Sequence, residues 1–235
     1  MSDLLTTGNP KTEKGKGLGY VTNILHLAPS TLSGFNVCPM ATVGCAAACL
    51  NTAGRGGIVK RGETTNAIQK ARVRKTLAYF NDRDAFMAKL VREIRNAIRR
   101  AEKVDMIPVF RLNGTSDLRW ENVPVEGFRN VMEMFPTVQF YDYTKIPNRR
   151  NIPANYDLTF SLAESNEAQA RVAIENGYNV AAVFRKDLPD TFLGLPVLNG
   201  DATDLRFLDP KGRIVGLKAK GKAKKDTSGF VKDAA

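Results

Sequence analysis

The chain has 235 residues, with 35 Lys and Arg against 24 Asp and Glu and a formal net charge of +11. That length suffices for one well-buried core, and an α/β barrel or doubly wound sheet is routinely built at this size. The opening MSDLLTTGNPKTEKGKGLG has no apolar leader core, and no later run is apolar enough to span a bilayer. A secreted or membrane protein is therefore not expected, and a cytoplasmic one is. The positive excess biases the molecule toward anionic partners, nucleic acid among them.

One domain is expected over 1–235, with 1–16 flexible and 226–235 a loose tail. Residues 20–27, YVTNILHL, read as a first strand. The three cysteines of the chain follow within twelve residues, as Cys38, Cys45 and Cys49 in VCPMATVGCAAACLNTAGRGG. A helix through 44–49 would set Cys45 and Cys49 on one face, with Cys38 returning from the preceding loop. Three converging thiolates repel unless a cation neutralises them, so the spacing C-x6-C-x3-C points to a soft, thiophilic centre, an iron–sulfur cluster or zinc. Buried structural thiols are the plainer alternative. An odd cysteine count in a chain without a leader argues against a disulfide framework. The glycines of 54–57 read as the end of that helix.

Two helical patterns come next, at 63–80 and 83–103, the second with Phe86, Leu90, Ile94, Ala97 and Ile98 at core-facing spacing and Asn81-Asp82 as the turn and N-cap. The Lys and Arg residues of both read as a solvated face. From there short apolar runs alternate with helices: strands at 106–112, 138–143, 157–163, 179–185, 196–199 and 214–219, and helices at 125–134 and 164–176. This rhythm predicts an α/β fold, a partial (β/α) barrel with mostly parallel strands and the cysteine loop after the first of them.

Ligands of such folds bind at the carboxyl ends of the strands, and here strand after strand ends in polar residues. The candidates for cofactor binding are Asn113, Ser116, Asp117, Tyr141, Lys145, Ser161, Glu164, Arg185, Lys218 and Lys220, beside Cys38, Cys45 and Cys49 as metal ligands. Each polar cluster taken alone also fits turn or cap chemistry. Lys145, Arg185, Lys218 or Lys220 would serve an anionic group.

The segments CPMATVGCAAACLNTAGRG, RLNGTSD, FYDYTK, LTFSLAESNEA, GDATDLRFLD and GLKAKGKAKKDTSGFV together resemble a phage-encoded family, the gene product 88 family, over about residues 17–232. The resemblance implies a viral origin and a host-cytoplasm setting more than an activity. A looser similarity is to radical S-adenosylmethionine enzymes, whose partial barrels hold a [4Fe–4S] cluster through three cysteines after the first strand. That similarity implies S-adenosylmethionine as cosubstrate, with Ser161 and Glu164 at the ribose position. The spacing departs from that family's C-x3-C-x2-C, and NGTSD stands where its glycine-rich motif would be.

Two functions follow as expectations. The first is an iron–sulfur protein whose cluster leaves one iron open to a small-molecule or anionic ligand, a redox or radical enzyme if a substrate binds there and a sensor or electron carrier if none does. The second is a zinc-stabilised nucleic-acid-binding protein, with His26, the single histidine, completing a Cys3His site and the lysine-rich tail contacting phosphates.

Overall fold

The fold was obtained as a computed structural model that describes residues 3–8 and 10–233. In chain order its elements are β1 (Leu5–Thr6), α1 (Pro10–Lys16), β2 (Tyr20–Leu25), α2 (Val43–Ala47), α3 (Ala67–Asn81), α4 (Arg83–Glu102), β3 (Ile107–Arg111), α5 (Val131–Met134), β4 (Gln139–Thr144), β5 (Tyr156–Ser161), α6 (Glu167–Glu175), β6 (Val180–Phe184), β7 (Thr191–Phe192), β8 (Leu195–Asn199), β9 (Ile214–Lys218) and β10 (Val231–Lys232). Short 3-10 turns at Leu50–Thr52, Gly54–Gly57, Trp120–Asn122, Arg206–Leu208 and Gly221–Lys225 join them.

The strands form one open sheet in the order β1-β2-β3-β4-β5-β6-β9-β8-β7, with β10 added beside β6. Every pairing from β2 to β8 is parallel, and only the edge strands β1 and β7 run antiparallel. The mixed α/β expectation holds, and the sheet is not closed. Parallel pairing has a functional consequence, because it brings the loops after β2, β3, β4, β5, β6 and β9 to one carboxyl edge.

Alternation along each strand divides the core. On one side Leu25, Phe110, Phe140 and Leu158 pack against Phe86, Leu90 and Ile94 of α4 and against Trp120. A second cluster puts Phe160, Val180, Phe184 and Ile214 against Ala170 and Ala173 of α6. The other side carries Val109 and Tyr141, covered by Leu205 and Phe207. Each of these large side chains contributes about 1.5–3 kcal/mol by leaving water.

Several expectations are corrected. The segment expected to be flexible contains β1 and α1: Glu93 of α4 accepts the Leu4 and Leu5 N–H groups at 2.8–2.9 Å, and the buried Lys75 ammonium donates to the Leu4 carbonyl at 2.7 Å. The tail expected to be loose contains β10, which pairs Val231 with Val183 and Lys232 with Phe184; residues 234 and 235 lie outside the described residues. Helix 125–134 shrinks to α5, because Glu126 and Gly127 adopt left-handed backbone in a turn closed by Val125 and Phe128. Among the described residues no helix is long and apolar enough to cross a membrane.

Candidate functional site at the carboxyl edge

The loop after β2 carries the cysteines. The N-cap of α2 is Thr42, whose hydroxyl accepts from the Cys45 N–H at 3.2 Å and donates to Glu164 Oε2 at 2.7 Å. The Gly44 N–H donates to Glu164 Oε1, also at 2.7 Å. Glu164, from the loop after β5, thus clamps the first turn of the helix that presents Cys45. Burial opposes ionisation of Glu164, but the N–H and hydroxyl donors around it prevail and hold its carboxyl below the usual range. Gly44 has to be glycine: a Cβ there would stand 2.0 Å from Ser228 Oγ and 2.8 Å from Phe230 Cβ.

Cys45 and Cys49 do not share a helix. The helix stops at Ala47, and Cys49 is extended (φ −56°, ψ 135°) at the start of the Leu50–Thr52 turn. The glycine-rich stretch does not cap the helix either. It forms its own turn, folded so tightly onto the preceding one that a Cβ on Gly57 would meet the Thr52 carbonyl at 2.1 Å.

Two of the sulfurs accept backbone N–H groups, Cys38 from Ser30 at 3.3 Å and Cys49 from Asn51 at 3.5 Å. Asn51 is held by Arg72 of α3, Nη1 to Oδ1 at 2.6 Å. Burial pushes the Cys38 thiol up to about 11, opposed by the Ser30 N–H and reinforced by Cys49, Asp117 and Cys45. Cys49 is also raised by burial and by Cys45, with Arg72 and Lys145 pulling the other way. Cys38 is thus influenced by Asp117 and the other two cysteines, and Cys49 by Cys45 and the cations Arg72 and Lys145.

Arg72 comes from α3, and Asp117 and Lys145 from neighbouring strand ends. Asp117, after β3, accepts from Thr144 Oγ1 at 2.8 Å and from the Lys145 N–H at 2.7 Å. Burial raises its pKa against these donors and the Arg149 and Lys145 cations. The Lys145 ammonium donates to Ser161 Oγ at 3.0 Å and sits 5.6 Å from the Phe230 ring centre. Asp117, Lys145, Ser161 and Glu164 are thus assembled around the cysteine loop.

The remaining candidates have other duties. Asn113 and Ser116 are buried and fold the loop after β3, the Asn113 side-chain oxygen accepting from Ser116, Leu118 and Trp120. Tyr141 lies deep against the sheet, its hydroxyl 3.3 Å from Thr22 Oγ1. Arg185 ties down the carboxyl-terminal segment through Asp233 and the Asp226 carbonyl. Lys218 and Lys220 are exposed and pair with Asp187 at 3.7 Å and Asp201 at 2.6 Å.

His26 is not at the site. Its Nδ1 lies 3.3 Å from Thr6 Oγ1, and burial together with Arg72, Arg111 and Lys75 pushes the imidazole down to about 3. Among the described residues no group of three or more His, Cys, Asp and Glu side chains is disposed to hold a single metal ion. The described residues thus present no Cys3His grouping of the kind expected for zinc.

Sequence reasoning missed Gly44, Asn51 and Arg72. From the sequence Gly44 is only the first residue of the expected helix and Asn51 an ordinary residue beyond it, while Arg72 shares the polar pattern of a solvated helix face.

A parallel α/β sheet with a three-cysteine loop at its carboxyl edge defines the class. Within it the chain belongs to the Gene product 88 family, whose profile matches residues 3–234. No curated protein and no solved structure matches the chain.

Proposed function

We propose that the protein is an iron–sulfur protein built on a partial (β/α) barrel, holding a [4Fe–4S] cluster through Cys38, Cys45 and Cys49 and acting as a redox or radical enzyme in the host cytoplasm. The observation that supports this reading is the confinement of the three cysteines to the one loop after β2, at the carboxyl edge of the sheet, with two of them accepting backbone N–H groups. Hydrogen bonds to sulfur are among the means by which proteins tune such clusters. The donor set fits. A cluster spreads its thiolates over several irons, so it does not require the single-ion geometry that is missing here.

When bound, the cluster supplies one-electron chemistry and an iron free to coordinate a small molecule. The chain's own residues do the rest. Arg72 and Lys145 offset the negative charge that three thiolates bring, acting most directly on Cys49. Lys145 and Ser161 give a cation and a hydroxyl beside the loop, suited to an anionic ligand. Glu164 keeps Cys45 in place through Thr42 and Gly44.

The test is iron and sulfide analysis with a visible spectrum after oxygen-free purification. A brown protein with about four irons and four sulfides per chain, lost in Cys45→Ala, is the expected result. A colourless protein, or full iron retained by each single cysteine variant, would overturn the reading. Adding S-adenosylmethionine to the reduced protein and following its electron paramagnetic resonance spectrum tests that cosubstrate separately.

A further inference from the structure

The carboxyl edge carries a second feature, built from cations rather than sulfur. The Gly54–Gly57 turn and the loop behind it expose Arg55, Lys60 and Arg61, and the Gly221–Lys225 turn exposes Lys222, Lys224 and Lys225. These two stretches are 160 residues apart in sequence, but the second packs against the residues that lead into the first, since a Cβ on Gly221 would stand 3.4 Å from Ala53 Cβ and 3.5 Å from the Thr52 carbonyl oxygen. The left-handed backbone of Gly221 permits that approach. That contact sets the Gly221–Lys225 turn beside Thr52 and Ala53, which lead from Cys49 into the Gly54–Gly57 turn, and the two cationic stretches form a rim there.

The charge on this rim is unbalanced. Other exposed cations are matched, as in Lys16–Glu13, Arg171–Glu167, Lys211–Asp157 and Arg185–Asp233, although Arg74, Arg92, Arg99 and Arg100 on the α3 and α4 faces, like the rim, have no carboxylate within ion-pair distance among the described residues. Among the described residues no carboxylate stands within ion-pair distance of Arg55, Lys60, Arg61, Lys222, Lys224 or Lys225. The nearest acid in sequence to the lysine turn, Asp226, is committed inward: its carboxylate accepts from Ser228 Oγ at 2.7 Å and from the Val231 N–H at 3.0 Å. Nor is the lysine turn a loose tail. Ala223 is buried within it, and Arg185 holds the Lys224 and Asp226 carbonyls.

We infer that this rim binds the phosphate backbone of nucleic acid. Six cations spread along two anchored turns suit a repeating polyanion better than a compact anion, which needs donors converging on one point. Neither turn contains an aromatic residue, so a stacking platform is absent there and the protein meets the backbone rather than the bases. Binding is therefore independent of sequence and strongly dependent on salt. The inference does not rest on the iron–sulfur reading, because every residue it uses is outside the cysteine set.

The experiment follows the anisotropy of a short labelled DNA duplex of arbitrary sequence from about 50 to 200 mM salt. The protein is compared with Arg55→Gln/Lys60→Gln/Arg61→Gln, with Lys222→Gln/Lys224→Gln/Lys225→Gln, and with Arg99→Gln/Arg100→Gln on the far end of α4. Each rim triple should weaken binding about tenfold or more and lower the slope of log K against log salt by about 0.9 for each phosphate that is no longer neutralised. The α4 double should match the parent, and circular dichroism should show all variants folded. Unchanged affinity and slope in the rim triples, weaker binding in only one of them, or binding to vesicles of anionic lipid in place of DNA would overturn the inference.

Discussion

At the scale of single residues, the cysteines were legible and their supports were not. Three cysteines in one loop announce themselves through residue type and clustering, which require no knowledge of the fold. Glu164 was legible as a polar strand end, but its partners are Thr42 and Gly44, and a hydrogen bond across 120 residues leaves no local trace. Gly44 shows the same limit, since its lack of a side chain matters only once Ser228 and Phe230 close over it. Gly44→Ala should cost about 1–3 kcal/mol through overpacking, lowering the melting temperature by roughly 2–4 °C per kcal/mol. Ser228 can rotate its hydroxyl away, but the Phe230 Cβ is fixed to the backbone, so the cost is not removed by a rotamer change. Thermal melts of Gly44→Ala, Glu164→Ala and the double variant check this. Because Glu164 Oε1 would lie 2.9 Å from the new Cβ, the double variant should be destabilised by less than the two single effects added together. Strict additivity would show that the clamp is not there.

Among the secondary-structure elements, periodicity located the seven longer strands, β2 to β6, β8 and β9, within two residues, because buried parallel strands are short continuous apolar runs. It found α4 equally well, through the spacing of Phe86, Leu90, Ile94 and Ala97. It misjudged the polar face of α3, where Lys75 is buried on the Leu4 carbonyl and Arg72 turns inward to Asn51. It also missed the two-residue strands β1, β7 and β10, which have no pattern of their own and exist through their neighbours. The last of these depends on Asp226, which ties Ser228 and Val231 and so sets β10 against β6. Burial disfavours the charged form of Asp226, yet its N–H and hydroxyl donors and the nearby Arg185 hold its pKa below the ordinary carboxylate range. A carboxylate whose folded pKa is depressed adds stability above its unfolded pKa, about 3.9, and loses it as pH falls through the folded value. Asp226→Ala should therefore cost about 1–2 kcal/mol at pH 7, and the difference from the parent should shrink below about pH 4. Urea melts at pH 7 and pH 3 measure both; an equal loss at the two pH values would assign the effect to something other than the carboxylate.

For the molecule as a whole, the two helix-covered clusters share one sheet, and this governs how the protein unfolds. β5 supplies Tyr156 and Leu158 to the first cluster and Phe160 to the second, while Tyr178 packs against both. The two halves therefore have no sparsely packed boundary between them, which is what separate unfolding would need. The terminal strands strengthen this coupling: β1 closes one edge next to α4, and β10 joins β6 in the middle of the sheet. Trp120, the chain's single tryptophan, is fully buried in the first cluster with its indole N–H bonded to Asn113 at 3.1 Å. Its fluorescence reports that cluster alone, whereas far-ultraviolet circular dichroism reports helices and strands on both sides. The two signals should follow one urea transition with the same midpoint, the signature of cooperative unfolding. A tryptophan transition displaced from the dichroism curve would mean that the α4 side opens by itself, and the continuity argued from β5 and Tyr178 would then be insufficient to join the halves.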